Sequence, residues 1–456
     1  MHSSQSSSGN ACSSYEPGIA GITSEFRSNT ADAVRDKGIR RMLFAAVLIA
    51  LILRLINVAL VYNRFLDPSR NHREFAWEIG QVAYSIVMGH GFANPYSVGT
   101  GPTALLGPVF PYLLSGIFVV FGVFTKASAV AFLAVNSLFS ALTCLPVFFL
   151  ARKSFGLPTA KLAVWSWAFF PYAVYFSTES MWYNSFVTLF LALIFLAALY
   201  LESSDRVWAW AGFGFLFGVS ALTNPVVLGI LPFLGGWVCY RLARLGRRWG
   251  RAAMAGALAL IITIAPWLVR NYRTFHRPVF LKDNFWMEVC VGNLTTAPDW
   301  WNEDIHPSYI PAEMAEFQRL GELGYMAEKR QQALAFIESH PALYLQRSVR
   351  RAVYVWTGFW TFHRAYLRNL SEYLANICLL TPLTLLSFWG LYRAFRKARE
   401  TAAPYFLVLL TFPGIYYLTH PDPRYRHPLD PLLLILACSA IASRLPSRRG
   451  SAISES

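Results

Sequence analysis

The chain has 456 residues, of which 55% are hydrophobic, 16% aromatic and 14% charged, with a formal charge of +15 at pH 7. A soluble domain carries roughly 25% charged residues, so this composition excludes an ordinary soluble protein and points to an integral membrane protein. Most basic residues flank apolar segments, as orientation in a bilayer requires, which sets nucleic acid aside as a partner.

Residues 1–37, rich in Ser and Gly, are expected to be a cytoplasmic tail without fixed structure. The basic cluster Arg35, Lys37, Arg40 and Arg41 runs straight into a long apolar segment. That pattern predicts a membrane anchor with its N-terminus inside, not a cleaved signal. Crossing about 30 Å of hydrocarbon takes roughly 20 apolar residues. Ten spans are predicted, near 42–62, 127–150, 162–178, 182–201, 207–223, 225–240, 252–269, 373–392, 402–419 and 428–444.

One further apolar run, "GPVFPYLLSGIFVVFGVF" at 107–124, is placed by charge. If it crossed, the Arg-dense loop Arg241 to Arg251, Arg152 with Lys153, and "YRAFRKAR" would all face outside, against the basic N-terminus. If it lies in the outer interface, every one of these loops falls inside, as does "RLPSRR". Pro108 and Pro111 near its start also suit an interfacial helix. The chain therefore divides into a transmembrane module at 38–269 with a first outer loop at 63–126, an outer region at 270–372, C-terminal spans at 373–445, and a cytoplasmic tail at 446–456.

Within the first outer loop, "HREFAWEIGQVAYSIVMGHGF" reads as a helix with Glu74, Glu78, Gln81 and Ser85 on one stripe and Phe75, Ile79, Val82 and Ile86 on another. Other outward polar groups fall at span ends. They are Glu179 in "FSTESMWYN", Arg270, Asn271 and Arg273 in "PWLVRNYRTF", and His420, Asp422, Arg424, Arg426 and His427 in "HPDPRYRHPLDP". Carboxylates and guanidiniums gathered at one membrane face suit an anionic lipid-linked substrate: arginine forks hold phosphate, and a carboxylate takes a proton from an acceptor. Pattern alone leaves bland readings open. Glu74 and Glu78 fit a solvated helix face, Arg270 and Arg273 a helix anchor, and Arg424 and Arg426 a structural turn. Six cysteines show no CxxC or Cys/His cluster, so structural zinc is not indicated. Two or three carboxylates beside a phosphate could bind a divalent cation, but their spacing is not diagnostic.

The order of these features is familiar: one N-terminal span, an acidic outer loop whose helix ends in "MGHGF", "GPTALLGPVFPYLL", "PWLVRNY" closing the seventh span, and "PRYRHPLDPLL" opening the last. It resembles bacterial membrane glycosyltransferases of the GT-C type, in the group of the protein O-mannosyltransferases and lipid A aminoarabinose transferases (glycosyltransferase family 39). The resemblance runs from about residue 38 to 445. It implies an all-α polytopic GT-C fold in the cell's inner membrane. The implied activity moves a sugar from a polyprenyl-phosphate donor to a lipid, glycan or protein acceptor at the outer face, commonly with inversion. The resemblance assigns the catalytic base to Glu78, with Glu74 second, and puts Glu179 at a second acidic position. Arg270, Arg424 and Arg426 become phosphate-binding candidates, with His427 a weaker partner. Many relatives carry Asp where this chain has Phe75 and Ala76, which leaves the choice between the two glutamates open. The rival reading is a transporter or flippase for lipid-linked sugars, against which stand the absence of an evident repeat and the placing of the acids at span ends.

Overall fold

A computed structural model describes residues 36–63, 75–96, 99–179, 181–294, 303–358 and 374–444. Glu74 lies outside the described residues. By packing, the chain divides into Met1–Phe44 and Ala45–Ser456. The described part of the first unit is the start of one helix, where the Gly38 N–H donates to Asp36 Oδ1 at 2.7 Å. Apart from the start of that helix, the second unit holds everything discussed below.

Sixteen helices matter here, numbered in chain order. Seven are long and apolar enough to cross a membrane: α1 (Lys37–Val61), α4 (Lys126–Phe155), α7 (Asn184–Leu201), α9 (Pro225–Arg244), α10 (Gly250–Phe275), α14 (Asn376–Lys397) and α15 (Arg399–Leu418). Shorter helices occupy the three other expected spans. The segment at 162–178 is split into α5 (Leu157–Ala168) and α6 (Pro171–Thr178), α8 (Val207–Ala221) has 15 residues, and α16 (Asp430–Ala442) has 13. At 1.5 Å per residue α16 is about 20 Å long, short of the hydrocarbon thickness. It is buried along nearly its whole length, so neighbouring helices rather than lipid surround it. The helix predicted as interfacial, α3 (Val109–Phe121), also has 13 residues, with Tyr112, Val119 and Val120 exposed.

Pro171 breaks the α5–α6 segment, because its ring excludes the preceding turn and it donates no N–H. The carbonyl of Ala168 is thereby freed from the helix ladder and accepts from Arg54 Nη1 at 3.1 Å. The same guanidinium donates to the Ala50 carbonyl and, through Nε, to Ser140 Oγ at 2.9 Å. A fully buried arginine inside a span would ordinarily suggest a substrate path. Here it closes a helix break.

The outer region folds as α11 (Phe285–Asn293), α12 (Pro311–Ser339, kinked at Gly321) and α13 (Pro341–Thr357). Val289, Cys290 and Ala333 form its core, flanked by Trp286, Ile305 and Tyr344. Two arginines of α13 hold this region together, and the second also ties it to the bundle. Arg347 donates to the Asn293 carbonyl at 2.6 Å. The buried Arg351 donates to the Gly292 carbonyl, to Asn293 Oδ1 and to the Leu418 carbonyl at the end of α15. At these two positions the basic character of the long loop serves backbone carbonyls.

Candidate active site

The acidic helix of the first outer loop, α2 (Trp77–Val87), begins later than its hydrophobic stripe predicts. Ala76 and Trp77 both have left-handed backbones, with φ of 60° and 48°. That conformation costs non-glycine residues energy and persists only where packing enforces it. Enforcement comes from Phe75, fully buried against Phe118 and Phe124 with ring centroids 5.6 and 5.3 Å away. The chain doubles back so closely that a Cβ on Gly80 would stand 2.1 Å from the Phe75 carbonyl oxygen. Only glycine fits there. The result seats Glu78 in the first turn of α2 and buries it, where a solvated face was one reading.

Glu78 opens onto a cavity of about 180 Å³ whose lining also includes Trp182, Lys282, Glu288, His306 and Arg424. These residues come from the first outer loop, the α6–α7 turn, the stretch before α11, α11 itself, the segment before α12, and the loop before α16. His306 Nε2 stands 3.5 Å from Glu78 Oε1. The Ser308 N–H donates to His306 Nδ1 at 3.2 Å, which leaves the ring proton on Nε2, toward the carboxylate. Tyr96 and Tyr309 flank the imidazole, and Tyr309 in turn packs on Trp77.

A second carboxylate faces the same space. Glu288 accepts from Asn284 Nδ2 at 2.7 Å and pairs with His420 Nε2 at 2.8 Å. Burial opposes its ionisation, but the hydrogen bond and charge of His420, with Lys282 and His306 behind, outweigh that and hold it down at about 2. A carboxylate this acidic is a fixed anion near neutral pH and a poor proton acceptor.

The cation of the site is Arg424. Its guanidinium lies 5.0 Å from the ring centroids of both Trp182 and Tyr425, and its Nε stands 3.3 Å from Asp422 Oδ2. Burial would lower its pKa; Tyr425 and Asp422 overcome that penalty and raise it. Tyr425 stacks on Tyr416 with centroids 4.2 Å apart, and Tyr416 accepts from Asn224 Nδ2 at 3.3 Å. The arginine is therefore held in one orientation before any substrate arrives.

Asp422 lines the cavity beside Arg424, whereas Arg270, Arg426, His427 and Glu179 lie outside its lining. Arg270 donates to the Thr103 carbonyl at 2.6 Å and the Phe92 carbonyl at 2.7 Å, fastening the first outer loop to the end of α10. Arg426 and His427 are fully buried and share Asp430, whose oxygens lie 3.2 Å from Arg426 Nε and 2.9 Å from His427 Nδ1. Glu179 ends α6, while Trp182, Tyr183 and Asn184 from the same turn reach the cavity. Sequence reasoning passed over Lys282, Glu288 and His306. Glu288 did leave a signal, as the lone acid in the apolar stretch "NFWMEVCVGN". Among the described residues no group of three or more His, Cys, Asp or Glu could hold a metal ion.

Behind the cavity wall, Asp283 and Glu322 form a buried carboxylate pair that joins α12 to the loop carrying Leu105 and Leu106. Glu322 Oε1 accepts from the Ala104 N–H, and the Asp283 N–H donates to the Ala104 carbonyl at 3.3 Å. Burial raises Asp283 to about 6, and burial with the Asp283 charge raises Glu322 well above its ordinary range. Lys282, Arg270 and Tyr96 are the other ionisable groups that feel this pair. Carboxyls with raised folded pKa values favour the folded state below their unfolded values, near 4, and lose that contribution as pH rises through about 6. Melting temperature is therefore expected to fall between about pH 4 and 7, and Asp283→Asn to make the fall shallower. Parallel melting curves for the two proteins would remove the pair from the stability balance.

The family of dolichyl-phosphate-mannose-protein mannosyltransferases matches residues 103–269, less than half of the chain. Among curated proteins no sequence matches. The archaeal oligosaccharyltransferase AglB of Archaeoglobus fulgidus, solved with an inhibitory peptide and a dolichol-phosphate, is 14% identical with a TM-score of 0.53. That match covers 90% of this chain and 50% of the archaeal one. The apo form of the A. fulgidus oligosaccharyltransferase is 15% identical over 90% of this chain and 51% of its own, with a TM-score of 0.51. ArnT of Cupriavidus metallidurans, solved with undecaprenyl phosphate, is 13% identical over 88% of this chain and 77% of its own, with a TM-score of 0.38. The chain thus spans about half the length of the archaeal enzyme. What it shares with the archaeal enzyme at these identities is a fold, an all-α polytopic membrane architecture.

Proposed function

We propose that the protein is a glycosyltransferase that moves a sugar from a polyprenyl-phosphate donor to a lipid, glycan or protein acceptor, with inversion at the anomeric carbon. One observation carries this reading: a buried carboxylate, Glu78, and an aromatic-clamped guanidinium, Arg424, line one cavity. The AglB structure that shares this fold holds a dolichol-phosphate. On this proposal the charge pattern gives ten crossings, cytoplasmic termini and a site at the outer face, in a family 39-like protein of a bacterial inner membrane.

In the reaction, Glu78 takes the proton from the acceptor hydroxyl or amine as that atom bonds to sugar carbon 1. The bond from carbon 1 to the phosphate oxygen breaks, and its electron pair leaves with the polyprenyl phosphate. Negative charge grows there, and Arg424 with Lys282 stabilises it more in the transition state than in the ground state. Glu288, fixed as an anion, accepts hydrogen bonds from sugar hydroxyls. His306 orients Glu78.

Purified protein incubated with polyprenyl-phosphate sugars and extracted envelope lipids, glycans and proteins should yield glycosylated product and free polyprenyl phosphate. Lipid scrambling in liposomes without transfer from any donor would replace this reading with the flippase.

A further inference from the structure

A second cleft, of about 490 Å³, lies where α4 ends, α5 begins, α14 and α16 end and α15 begins. It sits at the far end of the bundle from the candidate active site. Helix α16 shows this directly: Pro428, just before its start, lines the first cavity, and Ala442, at its end, lines the second. Thirteen residues separate its ends by about 20 Å.

The cleft exists because two helices meet tightly and then part. A Cβ on Gly390 of α14 would lie 2.1 Å from the Leu436 carbonyl oxygen of α16. One turn later the facing residues are Arg393, Ala394 and Ser439, and the space opens. The lining carries two cations, Arg393 and Lys397, with hydroxyls that include Ser154 and Thr401, and it contains no acid. Among the described residues no acidic side chain pairs with either cation. The acid beside Thr401, Glu400, is bound to Arg241. Two helix starts open on the cleft, α5 after Gly156 and α15 after Ala398, and neither has a side-chain cap. Their first N–H groups are offset by the carbonyl ends of α4, α14 and α16, so the positive potential of the cleft comes from its two basic side chains. Arg393 spends part of its hydrogen bonding on the end of α16, at the Ala440 carbonyl (3.3 Å) and Ser443 Oγ. Among the described residues Lys397 has no such hydrogen bond.

We propose that this cleft binds the phosphate headgroup of an anionic phospholipid. The chemistry required is a phosphate ester: a compact anion with several acceptor oxygens, matched by a guanidinium, an ammonium and hydroxyls. Free phosphate would satisfy the same groups, but the surroundings favour a lipid. One turn toward the bundle centre on α14, Leu386 and Trp389 are exposed, as is Ile441 beside Ala442 on α16. An acyl chain leaving the cleft would run along this apolar surface. Basic pockets between transmembrane helices at a leaflet surface are where anionic headgroups collect, since each Lys or Arg adds about five-fold to binding there.

The test is lipid retention by the full chain purified in detergent, read by native mass spectrometry and melting temperature. Phosphatidylglycerol should stay bound and raise the melting temperature, whereas phosphatidylcholine and inorganic phosphate should do neither. Lys397→Gln, which removes no hydrogen bond from the fold, should weaken retention about five-fold, and Arg393→Gln with Lys397→Gln about thirty-fold. Glu78→Gln should leave it unchanged. Equal retention of phosphatidylcholine, or full phosphatidylglycerol retention by the Lys397→Gln protein, would overturn the site. An equal melting shift with inorganic phosphate would overturn the lipid as its occupant.

Discussion

Glu78→Gln is expected to lower the turnover of sugar transfer by about 10²–10⁴-fold, the range lost when a positioned general base is removed. Gln keeps the size and hydrogen-bonding reach of Glu, so the cavity and the His306 contact at 3.5 Å should survive. Donor binding, measured as retention of polyprenyl-phosphate sugar, should therefore change little, and the loss should fall on kcat rather than KM. Glu288 cannot take over, because it is held as an anion at about 2. A Glu78→Gln protein with normal turnover would remove Glu78 from the chemistry. The same experiment on Glu74→Gln decides between the two acids of the first outer loop.

Arg424→Gln is expected to cost about 10²–10³-fold in turnover, the usual loss on removing one preorganised donor from a developing anion. Arg270→Gln should behave differently. Its partners are the carbonyls of Phe92 and Thr103, and leaving buried acceptors unpaired costs about 1–3 kcal/mol of stability. The Arg270→Gln protein should melt earlier while its folded fraction turns over normally. Reduced turnover with an unchanged melting temperature would instead place Arg270 with the phosphate. This pairing separates two arginines that composition and spacing present alike.

The contrast marks what was legible in the sequence. Hydropathy and loop charge are summed over many residues, so the all-α polytopic fold and the short α3 helix could be read directly. Spans shielded by protein could not be counted so easily: α16 is as apolar as a crossing helix but has 13 residues. Within the site, Glu78 was singled out by the resemblance and not by its pattern, which fitted a solvated helix face. The start of its helix was not legible, since the left-handed turn at Ala76 and Trp77 is imposed by packing of Phe75. Arginines were the least readable residues. Arg54, Arg270, Arg347 and Arg351 all satisfy backbone carbonyls, and only the fold shows which carbonyls need them. His306 and Lys282 gave no signal, because each stands alone in sequence and gains meaning only from its neighbours across the cavity.

The dispersal of the cavity's residues along the chain has a consequence for biosynthesis. Glu78 emerges from the ribosome early, but Lys282, His306 and Arg424 follow only after most of the helices have been made. A partly synthesised chain already inserted in the membrane holds the acid with neither its histidine nor its arginine. Until the loop before α16 arrives, the cavity that sets Glu78 beside Arg424 is incomplete, and on the function proposed above an unfinished chain would spend little donor.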